Sequence, residues 1–101
     1  MEFHGIHIAD GRLEEFCRRW RIEELSLFGS VLREDFGPGS DVDVLVVFAS
    51  DAPWSLWDLI DIREELQGMF GRPVDLVEKD ALRNPFRRQE ILRNHKVLYA
   101  A

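Results

Sequence analysis

The chain has 101 residues, 46% of them apolar and 32% charged, with 13 Lys and Arg against 19 Asp and Glu and a formal net charge of −6. That length suits one domain with an ordinary core, and the composition is too apolar for a disordered chain and too acidic to bind nucleic acid by overall charge. The longest apolar run, Val44 to Ala49, is far short of the roughly 20 residues of a membrane span, residues 1–10 carry no secretory signal, and the lone Cys17 excludes an internal disulfide or a Cys-rich zinc site. A single cytoplasmic domain over 1–101, without membrane association, is the expectation.

In chain order, Asp10 is placed to cap a first helix whose apolar residues Leu13, Phe16, Cys17 and Trp20 recur at i, i+3, i+4 and i+7. Glu14–Arg18 and Glu15–Arg19 stand at i, i+4 with the acid first, the favourable order. Cys17 falls on the buried stripe and reads as a structural thiol rather than a nucleophile. Leu25 to Phe28 reads as a short strand ending at Gly29-Ser30, followed by a short helix from Val31 to Asp35 and a turn at Gly37-Pro38-Gly39-Ser40. Val42 to Phe48 has the β-branched, apolar pattern of a central strand covered on both faces.

Ser55 reads as the N-cap of a second helix, with Asp58 as its capping-box partner. Leu59, Ile62, Leu66 and Met69 form that helix's buried stripe, and Gly71-Arg72-Pro73 ends it. Val74 to Val77 predicts a third short strand, Asn84 to Asn94 a closing helix, and Val97 to Tyr99 an edge strand. The order predicts a small mixed sheet with flanking helices, an α/β (α+β) domain. Residues 1–80 hold 8 basic and 18 acidic side chains, whereas from Ala81 onward Arg83, Arg87, Arg88, Arg93 and Lys96 face only Glu90. That basic stretch reads either as a solvated helix face or as a contact for phosphate or an acidic partner.

Three acids fit this scheme poorly. Asp41 and Asp43 open the most apolar strand and, at i and i+2, point to one face, while Asp75 sits inside Val74-Asp75-Leu76-Val77. Neighbouring carboxylates at the edge of a core repel one another and lose hydration, and a hard divalent cation removes the conflict. If the third strand pairs beside the second, Asp75 reaches the same spot. The site then has the carboxylates that two metal ions need to clamp the attacking and leaving oxygens of phosphoryl transfer. Ten residues before Asp41, the strand Leu27-Phe28 runs into Gly29-Ser30, where glycine permits close backbone approach and free N–H groups attract anions.

Phe28-Gly29-Ser30, the ten-residue gap and Ser40-Asp41-Val42-Asp43-Val44-Leu45 resemble the signature of the DNA polymerase β-like nucleotidyltransferases. Within them the chain is similar to the minimal nucleotidyltransferases (MNT), from about Phe16 through Pro73-Val74-Asp75-Leu76-Val77 to Leu98-Tyr99-Ala100. The resemblance implies a polymerase β palm-like fold, with Asp41, Asp43 and Asp75 as catalytic metal ligands, two Mg²⁺ ions, and ATP as substrate. It implies that Gly29 and Ser30 hold the triphosphate, with Arg33 and Ser40 beside it, and that Asp75 favours deprotonation of the attacking hydroxyl. It further implies transfer of AMP to a hydroxyl with release of pyrophosphate. The partner it implies is a HEPN-type helical toxin, a ribonuclease silenced when AMP is added to one of its tyrosines. The turn Gly37-Pro38-Gly39 departs from relatives that carry Arg and Asp around the Pro, which bears on substrate detail.

Against these readings stand plainer ones. The acids could be surface residues near turns, and Asp35, Asp41 and Asp43 lack the order of a calcium loop. Arg33 could pair with Glu34 or Asp35, and His4, His7 and His95 read as solvent-facing or locally bonded. Trp54 and Trp57 read as packing or partner contacts, and Tyr99 as an edge anchor that is also the sole tyrosine for self-modification. A binding antitoxin that silences its partner by occlusion is the alternative to an enzyme. Direct nucleic-acid binding is not expected.

Overall fold

The computed structural model describes the chain apart from Met1, His4, Glu34, Asp35, Phe36 and Pro38. Its main sheet contains β3 (Ile22–Phe28), β4 (Val42–Phe48), β5 (Val74–Glu78) and β6 (His95–Ala100), in the spatial order β5-β4-β3-β6. β4 and β5 run parallel, joined by a helical crossover, and β3 is antiparallel to both β4 and β6. A small hairpin, β1 (Glu2–Phe3) and β2 (Ile6–His7), precedes α1 (Arg12–Arg19). α2 (Leu56–Phe70) connects β4 to β5, and α3 (Pro85–Arg93) connects β5 to β6.

Strand periodicity divides the sheet into two unlike faces. Val42, Val44 and Val46 point to the first, where they are almost fully buried with Leu25 and Leu27 of β3, Phe16 and Cys17 of α1, and Ile62 and Leu66 of α2. Each such side chain contributes roughly 1.5–3 kcal/mol on burial, so this face holds most of the apolar stabilisation. On the second face Phe28, Leu45 and Ile91 make a smaller cluster, covered by α3. The alternate positions of β4 that share this face with Leu45 include Asp43.

Local signals decide the helix ends. The Ser55 hydroxyl accepts from Asp58 N–H while the Asp58 carboxylate accepts from Ser55 N–H, the predicted capping box, and Gly71 closes α2 at φ +67°. Asn84 caps α3, its Oδ1 accepting from the N–H groups of Phe86 and Arg87. α1 differs from expectation: Gly11, not Asp10, occupies the cap with φ +80° and no side-chain cap bond. β3 begins three residues earlier than the expected Leu25, and the hairpin at residues 2–7 was not foreseen. The short helix expected over Val31 to Asp35 is a 3₁₀ turn over Gly29–Leu32, its last part lying outside the described residues.

Glu14–Arg18 pairs as expected at 3.2 Å, but Arg19 turns from Glu15 to Glu65 of α2 at 2.6 Å. Glu65 also accepts from Trp20 Nε1 at 2.6 Å, and Trp54 Nε1 donates to the Trp20 carbonyl at 2.7 Å, with the two indoles edge to face at 5.0 Å. Trp54 is therefore a bracket between α1 and the entry to α2, the packing role among the two considered for it. Burial pushes the Glu65 carboxyl up, and the bonds from Arg19 and Trp20 outweigh it, leaving the group below its ordinary 4.5. Arg19 is half exposed, so we assign the stabilisation mainly to the indole bond. Glu65→Ala should cost about 1–3 kcal/mol. A carboxyl depressed in the fold stabilises above its unfolded pKa and ceases to as pH falls through the folded one. The gap in Tm between wild type and variant should thus narrow as pH falls through the ordinary 4.5 of a glutamate and into the more acidic range below it. A gap that stays constant in thermal melts across that range would remove the charge from this account.

Candidate active site

The site lies on the second face of the sheet, at the end where β4 begins. In the antiparallel register Phe28 stands opposite Asp43, and in the parallel register Asp43 stands opposite Asp75. Strands so paired lie about 4.8 Å apart, which puts the carboxylates of Asp43 and Asp75 on one face as neighbours. Asp41 precedes β4 by one residue and is exposed, as is Asp75, while Asp43 is half-buried. The first turn of the strand is tied down by Val42 N–H donating to the Pro73 carbonyl at 2.8 Å, which fixes the start of β4 against the start of β5.

Gly29 is the point of closest approach. Its φ is +73°, and a Cβ built there would stand 2.2 Å from Asp43 Oδ2, so no side chain fits while the carboxylate keeps its place. The Asp43 carboxylate lies in this cradle and accepts from Ser30 N–H. The Ser30 hydroxyl donates to the Asp41 carbonyl at 3.4 Å, joining the Gly-Ser turn to the strand's start. Burial raises the Asp43 carboxyl above its ordinary value, and the charges of Asp75 and then Asp41 add to that; Ser30 N–H and the more distant Arg87 work against it.

Among the described residues, no group of three or more His, Cys, Asp or Glu side chains stands arranged to hold a metal ion as the side chains lie. The donor set nonetheless fits a hard divalent cation: all-oxygen, on one face, with surplus negative charge focused on Asp43. Asp41 and Asp75 are exposed and free to turn towards a cation that Asp43, held in its cradle, would anchor.

The other predicted residues fall around this centre. Arg33 follows the 3₁₀ turn, is exposed and lines a groove beside Gly29; its considered partners Glu34 and Asp35 lie outside the described residues. Ser40 closes the turn from Gly37, its N–H donating to the Gly37 carbonyl at 3.0 Å and its Oγ accepting from Gly37 N–H at 3.3 Å. Arg72, which follows the end of α2, donates to the same Gly37 carbonyl and secures the turn, a link that sequence gave no sign of. His95 is locally bonded, Nδ1 to the Leu92 carbonyl at 2.9 Å. Cys17 is buried and its thiol is pushed up to about 12 by that burial, which removes it as a nucleophile. Tyr99 pairs with Leu25 on edge strand β6 and packs on the first face, away from the acids.

A mixed sheet with paired acids opening its central strand, a third acid on the adjoining parallel strand, and a Gly-Ser turn against them defines a nucleotidyltransferase. Residues 11–98 match the family described as nucleotidyltransferase domain, and the chain belongs to that family, on the minimal nucleotidyltransferase branch its sequence resembles. It is 38% identical over 77 residues to the protein adenylyltransferase MntA of Thermococcus cleftensis, covering 76% of each chain. Its fold is similar to that of a toxin–antitoxin solved with AMP-PNP, at TM-score 0.72 and 19% identity over 93% of this chain and 75% of that one. The MntA-HepT toxin–antitoxin gives TM-score 0.63 and 18% identity, covering 89% of this chain and 68% of that one.

Proposed function

We propose that the chain, acting over 1–101 as one minimal nucleotidyltransferase domain, is a Mg²⁺-dependent protein adenylyltransferase of the cytoplasm. It transfers AMP from ATP to a hydroxyl, that of a tyrosine, on a HEPN-type helical toxin and is thereby its antitoxin. The observation that carries this reading is the register that sets Asp75 beside Asp43 against the Gly29 cradle. The adenylyltransferase name of the relative from Thermococcus and the toxin–antitoxin neighbours support it.

Asp41, Asp43 and Asp75 would hold the metal, with Asp43 the fixed member and the exposed pair completing the set. Two Mg²⁺ ions bound there supply Lewis acidity, neutralising phosphate charge and easing ionisation of the attacking hydroxyl. The N–H groups of the Gly29–Leu32 turn, the Ser30 hydroxyl, Arg33 and Ser40 bind and orient the triphosphate. The acceptor oxygen forms a bond to the α-phosphorus and the bond from that phosphorus to the β-phosphate oxygen breaks. Pyrophosphate leaves with the electron pair, and Asp75 takes the hydroxyl proton before passing it to water.

The acceptor hydroxyl belongs to another chain, since Tyr99 packs on the opposite face. Leu56 and Trp57 on the first turn of α2, 71% and 76% exposed, form the surface we assign to the toxin. Within the basic stretch Arg88 is spent inside the fold, donating to the Lys79 carbonyl at 3.0 Å. No helix among the described residues is long and apolar enough to cross a membrane.

The test is intact mass of the co-expressed toxin, with wild-type protein and with the Asp41→Asn/Asp43→Asn variant. We expect a gain of one or more AMP units that the variant abolishes. An unmodified toxin held in a tight, inhibited complex would replace transfer by occlusion.

A further inference from the structure

α3 covers the same face of the sheet that carries the acids. Ile91 packs there on Phe28 and Leu45, and Arg87 stands one turn before it at i and i+4, on the same side of the helix. Arg87 and Arg33 line a groove of about 420 Å³ together with Phe28, Gly29 and Asn94, between the Gly-Ser turn and α3. Glu90 lines it too, yet among the described residues no carboxylate lies within 4.0 Å of either guanidinium.

Arg87 could be no more than a counter-charge for the acid cluster, since its field reaches Asp43. Two observations favour another use. A counter-ion would close onto a carboxylate, and Arg87 does not. Arg33 lines the same groove and, among the described residues, likewise has no carboxylate within 4.0 Å, so two unclosed guanidiniums open onto one space whose lining holds Glu90 as its acid. Two guanidiniums and a turn of backbone N–H groups, opening onto a cluster of carboxylates, have the chemistry of a polyphosphate seat whose far end meets metal-bound phosphate.

We propose that Arg87 and Arg33 clamp the β- and γ-phosphates of the nucleoside triphosphate from the two walls of this groove, so that α3 supplies the binding residue that distinguishes a triphosphate from a monophosphate. The proposal rests on the nucleotidyl-transfer reading of the acids. Its mechanistic content is that Arg87 touches the part of the substrate that leaves as pyrophosphate, neutralising charge that grows on it as the bond breaks.

The experiment measures ATP, AMP and pyrophosphate binding in Mg²⁺ by calorimetry for wild type, Arg87→Gln and Arg87→Lys. Arg87→Gln should weaken ATP and pyrophosphate about tenfold or more and change AMP by less than about twofold, with Arg87→Lys in between. In steady state the loss should appear in kcat/KM for ATP. Equal weakening of ATP and AMP, or no change in either, would overturn the clamp while leaving the acids' role intact. Absence of ATP binding by the wild-type protein, or normal transfer by Asp43→Asn, would instead remove the nucleotidyl-transfer reading and the clamp with it.

Discussion

Asp43→Asn should lower AMP transfer by at least about 10³-fold, the scale of losing a metal ligand worth several kcal/mol of transition-state stabilisation, and should do so in a protein that is still folded. Asp43 is the one acid of the site whose position is set by the fold, lying against Gly29 and accepting from Ser30 N–H. Asparagine retains an oxygen acceptor for that N–H but carries no charge for a cation. The fold has no cause to resist the change. Burial, then Asp75 and Asp41, raise the Asp43 carboxyl, which means that its ionised form opposes folding. For an acid raised in the fold, that penalty is present above the folded pKa and absent below the unfolded one. The variant should therefore melt at or above the wild-type temperature near neutral pH, and the difference should close as the medium becomes acidic. Retained transfer, or a variant that melts well below wild type, would contradict the assignment.

Gly29→Ala should be nearly as damaging, through geometry alone. The residue sits at φ +73°, where an L side chain costs about 1–2 kcal/mol. Beyond that, the new Cβ would stand 2.2 Å from Asp43 Oδ2 and 3.2 Å from its Cγ, so the carboxylate must leave its cradle. Displacement of a catalytic group by about 1 Å costs on the order of 10²-fold in rate, and transfer should fall by at least that. Gly71→Ala is the control, since Gly71 shares the strained backbone at φ +67° but has nothing within 4 Å of its would-be Cβ. Both variants should lose stability in denaturant melts, Gly29→Ala by at least as much as Gly71→Ala, and only Gly29→Ala should lose transfer. Equal activity in the two would mean that the close approach at Gly29 has no bearing on the acids.

Much of this site can be read from local sequence, and the reasons are physical. β4 and α2 are legible because their signals are short-range: a β-branched apolar run in one case, and Ser55, Asp58 and Gly71 at the ends of a periodic stripe in the other. The first helix's cap was misplaced because Asp10 is a good capping residue by type, while Gly11 takes the position by its backbone freedom. The hairpin at residues 2–7 has two-residue strands, too short for any periodicity to register. For Trp54 the sequence left packing and partner contact open, because the residue it packs on, Trp20, lies 34 positions away in the chain. Arg87 was one basic residue among five from Ala81 onward, and composition could not separate it from Arg88, which binds the Lys79 carbonyl instead.

By itself the sequence determined that Asp41 and Asp43 share one face of a central strand, that Gly29-Ser30 ends the strand before it, and that the chain is similar to the minimal nucleotidyltransferases. A strand's period of two and a turn's need for glycine are set within a few residues, so they are written locally. Only the tertiary structure decided that Asp75 falls opposite Asp43, that the Gly29 backbone presses on the Asp43 carboxylate, and that α3 brings Arg87 over the same face. Those outcomes depend on strand register and on which face a helix covers. Both are chosen by the burial of side chains far apart in the chain, here Phe28, Leu45 and Ile91, and no local window contains that choice.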